Sequence, residues 1–170
     1  MSAAVIPLIR SRDNTQVKRL LRLAVSSRER RETGPTILDG ARLVDAYGQS
    51  GGTAETLIAS ESAYADAGLR ALFERTSARE RLLLADGLMA RISQVVTSTG
   101  ILAVVRTPGA RPLPDSVDSC LMLEGIQDPG NLGSMLRSAA AAGVRQVFLS
   151  PGCVFAWAPK VVRAGQGAHF

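Results

Sequence analysis

Leu123-Glu124-Gly125-Ile126-Gln127-Asp128-Pro129-Gly130-Asn131-Leu132-Gly133-Ser134-Met135-Leu136-Arg137-Ser138-Ala139-Ala140-Ala141-Ala142-Gly143-Val144-Arg145-Gln146-Val147-Phe148 reads as strand end, turn, helix, glycine stop and second strand. The apolar run 119–123 before it suits a buried strand. Gln127-Asp128-Pro129-Gly130 is turn chemistry, with Pro129 fixing φ and Gly130 free to take φ > 0. Asn131 is a good N-cap, since its side-chain oxygen can accept an orphan backbone N–H. Leu132, Met135, Leu136 and Ala139 then recur at helical spacing. Gly143 stands where a left-handed residue closes a helix, and a strand resumes over 144–149. Two strands around one helix predict a βαβ unit with a parallel sheet.

The same helix carries a second arc. Asn131, Ser134, Arg137 and Ser138 fall together, away from the apolar stripe. Only Arg137 is charged there. It follows a helix N-terminus placed after a strand's carboxyl end, where open α/β sheets hold ligands. Two readings stand side by side: a site, or a capping asparagine and a solvated surface arginine.

The run Asp128-Pro129-Gly130-Asn131-Leu132-Gly133-Ser134-Met135-Leu136-Arg137-Ser138-Ala139, with Gly143 after it, resembles the first motif of the SpoU (TrmH-like) RNA 2′-O-ribose methyltransferases. Pro159-Lys160-Val161-Val162-Arg163-Ala164-Gly165-Gln166-Gly167-Ala168-His169-Phe170 is similar to the segment that follows in that family, although Gly165-Gln166 replaces the more usual small-serine pair. Matches of this length and fixed spacing carry far more information than a lone glycine motif.

The 170 residues suffice for one domain or two small ones. Hydrophobic residues make up 46% but aromatics only 4%, so the core must be aliphatic. No apolar run approaches membrane-spanning length, and no membrane partner is expected. The stretch 3–9 is broken by Pro7 and lacks a preceding basic residue, so it is a poor signal peptide and a cytoplasmic protein is the default expectation. Cys120 and Cys153 lack metal spacing and lie far in sequence from the sole histidine, His169; two reduced thiols and no metal are expected.

The net charge is +5. Its distribution says more: Arg10, Arg12, Lys18, Arg19, Arg22, Arg28, Arg30 and Arg31 lie within the first 31 residues, opposed there only by Asp13 and Glu29. Charge gathered at one end is the footprint of a nucleic-acid partner. The bland alternative is a solvated helix face.

In chain order, Asp13 or Asn14 caps a helix running to about Ser26, Asp13 with Gln16 as a capping box. Its apolar stripe is Val17, Leu20, Leu21 and Ala24. The segment 26–33 reads as a basic connection ended by Gly34-Pro35. Strands over 36–38, 56–59, 82–85 and 101–105 alternate with helices over 41–47, 60–74 (weakened by Gly68) and 87–92. Residues 107–116, with three prolines and a glycine, read as a semi-extended linker.

The resemblance extends into this region. Ser11, Asn14, Val17 and Lys18, then Arg31-Glu32-Thr33-Gly34 and Leu38-Asp39-Gly40-Ala41-Arg42-Leu43-Val44, look like the substrate-binding domain of many SpoU enzymes. That domain is similar to a small RNA-binding ribosomal protein. Gly100-Ile101-Leu102-Ala103-Val104-Val105 matches its last strand, while Thr97-Ser98-Thr99 departs from the usual Thr-Pro-Gln. The expected organisation is therefore an α/β RNA substrate-binding domain over 1–106, a Pro-rich linker over 107–116, and the N-terminal portion of an α/β-knot (SPOUT) methyltransferase domain over 117–170.

No nucleophile–base pair, Walker loop or paired carboxylates are evident, so hydrolysis and phosphoryl transfer are unsupported. Methyl transfer from a sulfonium needs mainly in-line positioning and help for the attacking hydroxyl. By resemblance, Arg137 matches the family's catalytic arginine and Asn131 its motif asparagine. A guanidinium stabilises a developing alkoxide and holds the adjacent phosphate; it does not readily serve as a base. Arg10, Arg12, Lys18, Arg19, Arg22, Arg28 and Arg31 are the expected RNA contacts. Glu124 orients Arg137 or simply sits well at a strand end, Lys160 and Arg163 contact RNA or cap the last helix, and His169 is read as a packed loop residue. The resemblance implies S-adenosylmethionine as cofactor, RNA as partner (ribosomal rather than transfer RNA) and pairing as homodimers. The family's remaining cofactor motifs follow the Gly-Ala-His-Phe run, so the chain is expected to be a fragment of a longer enzyme, to bind RNA weakly and to transfer no methyl group by itself. The rival expectations are a non-catalytic, ribosome-associated RNA-binding protein and a generic nucleotide-binding α/β domain.

Overall fold

The computed structural model describes residues 6–95, 97–109, 116 and 119–170. Six residues of the expected linker, 110–115, lie outside the described residues. The chain divides into two compact units, one through Arg106 and one from Thr107 to Phe170.

In the first unit β1 (Leu8–Ile9), α1 (Thr15–Val25) and α2 (Ser27–Thr33) precede β2 (Pro35–Asp39) and α3 (Ala41–Gln49). Then come β3 (Ala54–Ser60), α4 (Glu61–Ala65), α5 (Ala67–Arg75), β4 (Ala78–Leu84), α6 (Asp86–Ile92) and β5 (Ile101–Arg106). The sheet order is β1-β4-β3-β5-β2. β1 and β3 lie parallel to β4, while β5 runs antiparallel between β3 and β2. Simple alternation of strands and helices predicts a parallel sheet; β5 is the exception, because the chain re-enters the sheet at the rim where β4 ends and so runs the other way. Ile37, Ile58, Leu82, Leu102 and Val104 present one face to Val17, Leu20 and Leu23 of α1 and Leu88, Met89 and Ile92 of α6. The strands' intervening residues, among them Leu38, Leu57 and Ala103, are buried as well. Strands apolar on both faces fit a sheet covered by helices on both sides, and α3 and α5 pack against β5 and β3.

Several boundaries differ from expectation. Of the two candidate caps of α1 it is Asn14 that serves, its Oδ1 accepting from the Gln16 N–H at 2.8 Å. The segment expected as a basic connection is helix α2, because Ser26 supplies a cap, accepting from the Glu29 N–H at 3.1 Å. The helix expected over 60–74 breaks at Asp66, whose carboxylate caps α5 through the Leu69 N–H. Asp66 rather than Gly68 makes the break, since a cap needs a side-chain acceptor.

The second unit holds β6 (Cys120–Leu123), α7 (Pro129–Ala141), β7 (Gln146–Leu149) and α8 (Pro159–Gly165). β6 and β7 pair in parallel, as the βαβ pattern requires. Three details correct the reading of the turn. Asp128 is the N-cap, its Oδ1 accepting from the Asn131 N–H at 2.7 Å, so Asn131 lies inside the first turn. Pro129 stands at the first helical position, where its missing N–H costs nothing. The positive φ of the connection falls on Gly125 (64°), while Gly130 is helical. α8 crosses α7 at Gly133: a Cβ there would lie 2.4 Å from the Ala164 Cβ and 2.6 Å from the Val161 carbonyl oxygen. Glycine is required at that point for the two backbones to touch.

Candidate active site and nucleic-acid interface

Helix α7 places its residues by its own period. Leu132, Gly133 and Ala139 are buried, while Asn131, Ser134, Arg137 and Ser138 lie on the opposite, solvent-facing arc. Because Asp128 takes the cap, the Asn131 side-chain amide has no hydrogen-bond partner among the described residues. Only the Asn131 backbone is engaged: its N–H with Asp128 and its carbonyl with the Ser134 hydroxyl at 2.9 Å. Arg137 is in no salt bridge among the described residues, and Glu124 does not hold it. A guanidinium so presented keeps its donors for an incoming anion.

Along the same helix runs a groove of about 430 Å³ lined by Ser134, Ser138, Met135 and Ala139 from α7, by Ala142 at its C-cap, and by Cys120, Leu121 and Val144 beside it. Ser134 and Ser138 thus belong both to the polar arc and to the groove. The groove is mostly apolar; its polar side-chain atoms come from two hydroxyls and the Cys120 thiol, with no carboxylate among its lining. Met122 on the adjacent strand is 77% exposed.

Behind α7 the chain's end is packed. The His169 Nε2–H donates to the Ala156 carbonyl at 2.8 Å, and its ring meets Trp157 edge-on, centroids 5.0 Å apart. Burial pushes the imidazole below the usual histidine range, against the raising effect of that hydrogen bond. His169 is a neutral packed residue in this arrangement. Arg163 is half-buried, with a buried Nη1 unpartnered among the described residues; Lys160 is exposed. Cys153 is buried and donates to the Leu123 carbonyl at 3.4 Å, while Cys120 is exposed.

The cations of the first 31 residues do not form one class. Arg10, Lys18, Arg19, Arg22 and Arg28 reach solvent but are paired, with Glu61 (2.6 Å), Asp13 (3.4 Å), Glu55 (3.4 Å), Glu29 (3.9 Å) and Glu32 (2.7 Å) respectively. Such surface pairs contribute only about 0–1 kcal/mol each, so a phosphate can displace the carboxylate. Arg12 and Arg31 are exposed, Arg12 outside any salt bridge among the described residues. Arg30, although counted in the same charge cluster, is buried: its Nη1 donates to the carbonyls of Leu23 and Ala24, closing the end of α1. Burial, and Arg31 alongside, lower its pKa. No sequence signal separates Arg30 from its neighbours; only its position against the last turn of α1 does.

Among the described residues no group of three His, Cys, Asp or Glu side chains converges on a cation position, and no helix is long and apolar enough to cross a membrane.

Residues 118–170 match the model of the SpoU rRNA methylase family, and residues 14–103 match that of the MRM3-like substrate binding domain. The chain is 33% identical over 164 residues to rRNA methyltransferase 3, mitochondrial, of Xenopus tropicalis, covering 91% of this chain and 38% of that protein. It is 28% identical to the 23S rRNA (guanosine(2553)-2′-O)-methyltransferase RlmP of Bacillus subtilis, covering 95% of this chain and 62% of the relative. The chain therefore spans less than two thirds of the length of these curated relatives. Among solved structures, an RNA 2′-O ribose methyltransferase superposes with a TM-score of 0.74 at 28% identity, covering 95% of this chain and 62% of that one. The SpoU methyltransferase AviRb of Streptomyces viridochromogenes, crystallised with AdoMet, superposes at 0.80 with 21% identity over 91% of this chain and 60% of its own; at that identity the likeness concerns the fold.

Proposed function

Because the chain belongs to the SpoU RNA methylase family, with an MRM3-like substrate-binding domain ahead of the catalytic segment, we propose that it serves 2′-O-methylation of ribose in ribosomal RNA. The observation that carries this reading is the guanidinium of Arg137, exposed and in no salt bridge among the described residues, on the solvent-facing arc that it shares with Asn131. In the proposed reaction the RNA backbone lies along the polar arc of α7. Arg137 donates to a phosphate oxygen and to the 2′-oxygen, and so stabilises the alkoxide as it forms. A substrate phosphate or a water takes the proton, since a guanidinium stays protonated. The Asn131 amide, released from capping by Asp128, orients the ribose.

S-adenosylmethionine is the methyl donor in this reading. The residues present do not by themselves fit it: the groove beside α7 offers two hydroxyls and a thiol, but nothing anionic for an ammonium or a ribose diol. The first unit supplies RNA affinity through Arg10, Arg12, Lys18, Arg19, Arg22, Arg28 and Arg31. Pairing as homodimers and residence in the cytoplasm are part of the same proposal. Light scattering tests the first. Cell fractionation tests the second, against the mitochondrial location in the name of the Xenopus relative.

In the full-length protein, Arg137→Ala should abolish methylation and leave RNA affinity within about twofold, since many other cations still hold the RNA. The double substitution Arg19→Ala and Arg22→Ala should weaken RNA binding and reduce the salt slope by about one for each phosphate no longer neutralised. Unchanged methylation in the Arg137 variant would remove Arg137 from the reaction, whereas RNA binding without methylation by the unsubstituted protein would replace the enzyme by a non-catalytic RNA-binding protein.

A further inference from the structure

The carboxyl ends of β1, β2, β3 and β4 and the start of β5 share one rim of the five-stranded sheet: Ile9 pairs with Leu84, Ser60 with Leu84, Ala59 with Ile101 and Asp39 with Leu102. At this rim lies a cleft of about 650 Å³ that the proposed methyl transfer does not use. Two regions of the sequence build it, residues between 60 and 69 and residues between 86 and 100. Ligands of α/β sheets sit at such carboxyl-end rims.

The cleft combines an apolar wall with one anchored anion. Leu69 and Met89 line it, giving a surface on which a flat ring can lie. Asp86 is held from one side only. Its Oδ1 accepts from the Ser62 hydroxyl at 2.7 Å and from the Ser62 N–H at 3.1 Å. These donors, with a smaller effect from Ser60, keep its carboxyl below the usual carboxylate range. Both donors fall on Oδ1, so Oδ2 keeps its acceptor capacity for further donors. No cation neutralises Asp86 among the described residues.

Two exposed arginines neighbour the lining in sequence. Arg42 follows Ala41, whose N–H donates to Thr99 Oγ1 at 3.0 Å on the lining. Arg91 follows the lining residue Ala90. Both arginines are exposed and in no salt bridge among the described residues. Arg10 adjoins through its partner Glu61. A fixed anion in the lining excludes a simple phosphate pocket. It suits a nucleotide whose base brings hydrogen-bond donors and whose backbone brings negative charge. Of the four bases only guanine offers two adjacent donors, N1–H and the N2 amino group, to one carboxylate. Adenine and cytosine place a ring acceptor beside their amino group, and uracil flanks its single donor with carbonyls.

We propose that this cleft receives one unstacked guanine of the RNA, its Watson–Crick edge donating to Asp86 and its flanking phosphates held by Arg42 and Arg91. The proposal rests on the reading of the first unit as an RNA-binding domain. Single-stranded RNA is recognised in this manner, by splayed bases read at their edges.

The test is fluorescence anisotropy with the 170-residue chain and labelled oligouridines of about ten nucleotides carrying a central G, A or C. The G oligonucleotide should bind about tenfold more tightly than the other two. Asp86→Asn should erase the preference. Ala90→Phe, which fills the cleft from an exposed helix position, should do the same and decides the matter if the Asp86 variant melts early by circular dichroism. Arg42→Ala with Arg91→Ala should weaken all three oligonucleotides alike and lower the salt slope. Equal affinity for G and A, preference surviving both cleft variants, or absence of RNA binding overturns the proposal. So does binding of guanosine monophosphate as tight as that of the G oligonucleotide, which would assign the cleft to a free nucleotide. Guanine preference in a full-length protein that transfers no methyl group would keep the cleft and remove the methyltransferase reading. Methylation by a protein without the preference would do the reverse.

Discussion

Arg30 and His169 show how differently two polar side chains can be used once they leave solvent. Arg30 sits within an arginine cluster, yet its guanidinium turns inward to the carbonyls of Leu23 and Ala24. Those carbonyls belong to the last turn of α1, where helices leave acceptors unsatisfied. Arg30→Met keeps the apolar stem and removes both bonds. We expect a cost of about 1–3 kcal/mol, read by urea denaturation, with RNA affinity changed far less than by substitutions at Arg19 and Arg22. His169 is held neutral by burial. Its pKa is depressed in the folded state, so the unfolded chain takes up the proton first as pH falls. Its contribution to stability is therefore complete above the ordinary histidine pKa of about 6.5 and is lost as pH falls below it. The thermal midpoint of the native chain should drop between pH 7 and pH 5 by more than that of His169→Gln, which retains an N–H for the Ala156 carbonyl. Parallel midpoints in the two proteins would remove His169 from the pH response.

At the scale of elements, α7 depends on one small residue. Gly133 lies against Ala164 and the α8 backbone so closely that no side chain fits: the nearest atoms include the Val161 carbonyl oxygen at 2.6 Å and the Gly165 nitrogen at 2.9 Å from a would-be Cβ. These are backbone atoms, which cannot swing aside as a flexible side chain would. Gly133→Ala must part the two helices. We expect a cost of about 1–3 kcal/mol, despite the gain in helix propensity that alanine brings on an isolated helix. A melt of the variant checks the sign; a more stable protein would contradict the packing described. The same packing bears on chemistry, because shifting α7 displaces Arg137 together with Asn131. Helix α2 adds a second point at this scale. Its basic stretch lacks apolar periodicity and reads as a connection, yet Ser26 at its start and Gly34 at its end (φ 86°) are enough to close a two-turn helix.

For the whole molecule, charge and cofactor chemistry give different expectations for the two units. The first carries a cluster of surface arginines, and the second presents an exposed Arg137 on the helix that also walls an apolar groove. The groove lacks acidic side chains, so the 170-residue chain should show no micromolar binding of S-adenosylmethionine by calorimetry. It should still bind RNA in a strongly salt-dependent manner. Tight cofactor binding by this chain would mean that the groove rearranges around the ligand.

Much of this is legible along the chain. Helical spacing alone places Asn131, Ser134, Arg137 and Ser138 on one arc of α7, since every residue of a helix is placed by its 100° step. The apolar runs locate the strands of both units to within a few residues, except the two-residue β1, which is too short to show a period and draws its bonds from β4. Periodicity is a local property, and it says nothing about partners brought from elsewhere. Whether Asn131 or Asp128 caps α7 turns on which carboxylate or amide reaches the free N–H groups. The burial of Arg30 and the pairing of Arg19 with Glu55 are decided by the packing of helices on the sheet. So is the cleft at Asp86, whose walls come from two separated regions of the sequence. One-dimensional spacing determined which side chains share a face; only the folded sheet determined which of those charges meet an opposite charge and which are left for a ligand.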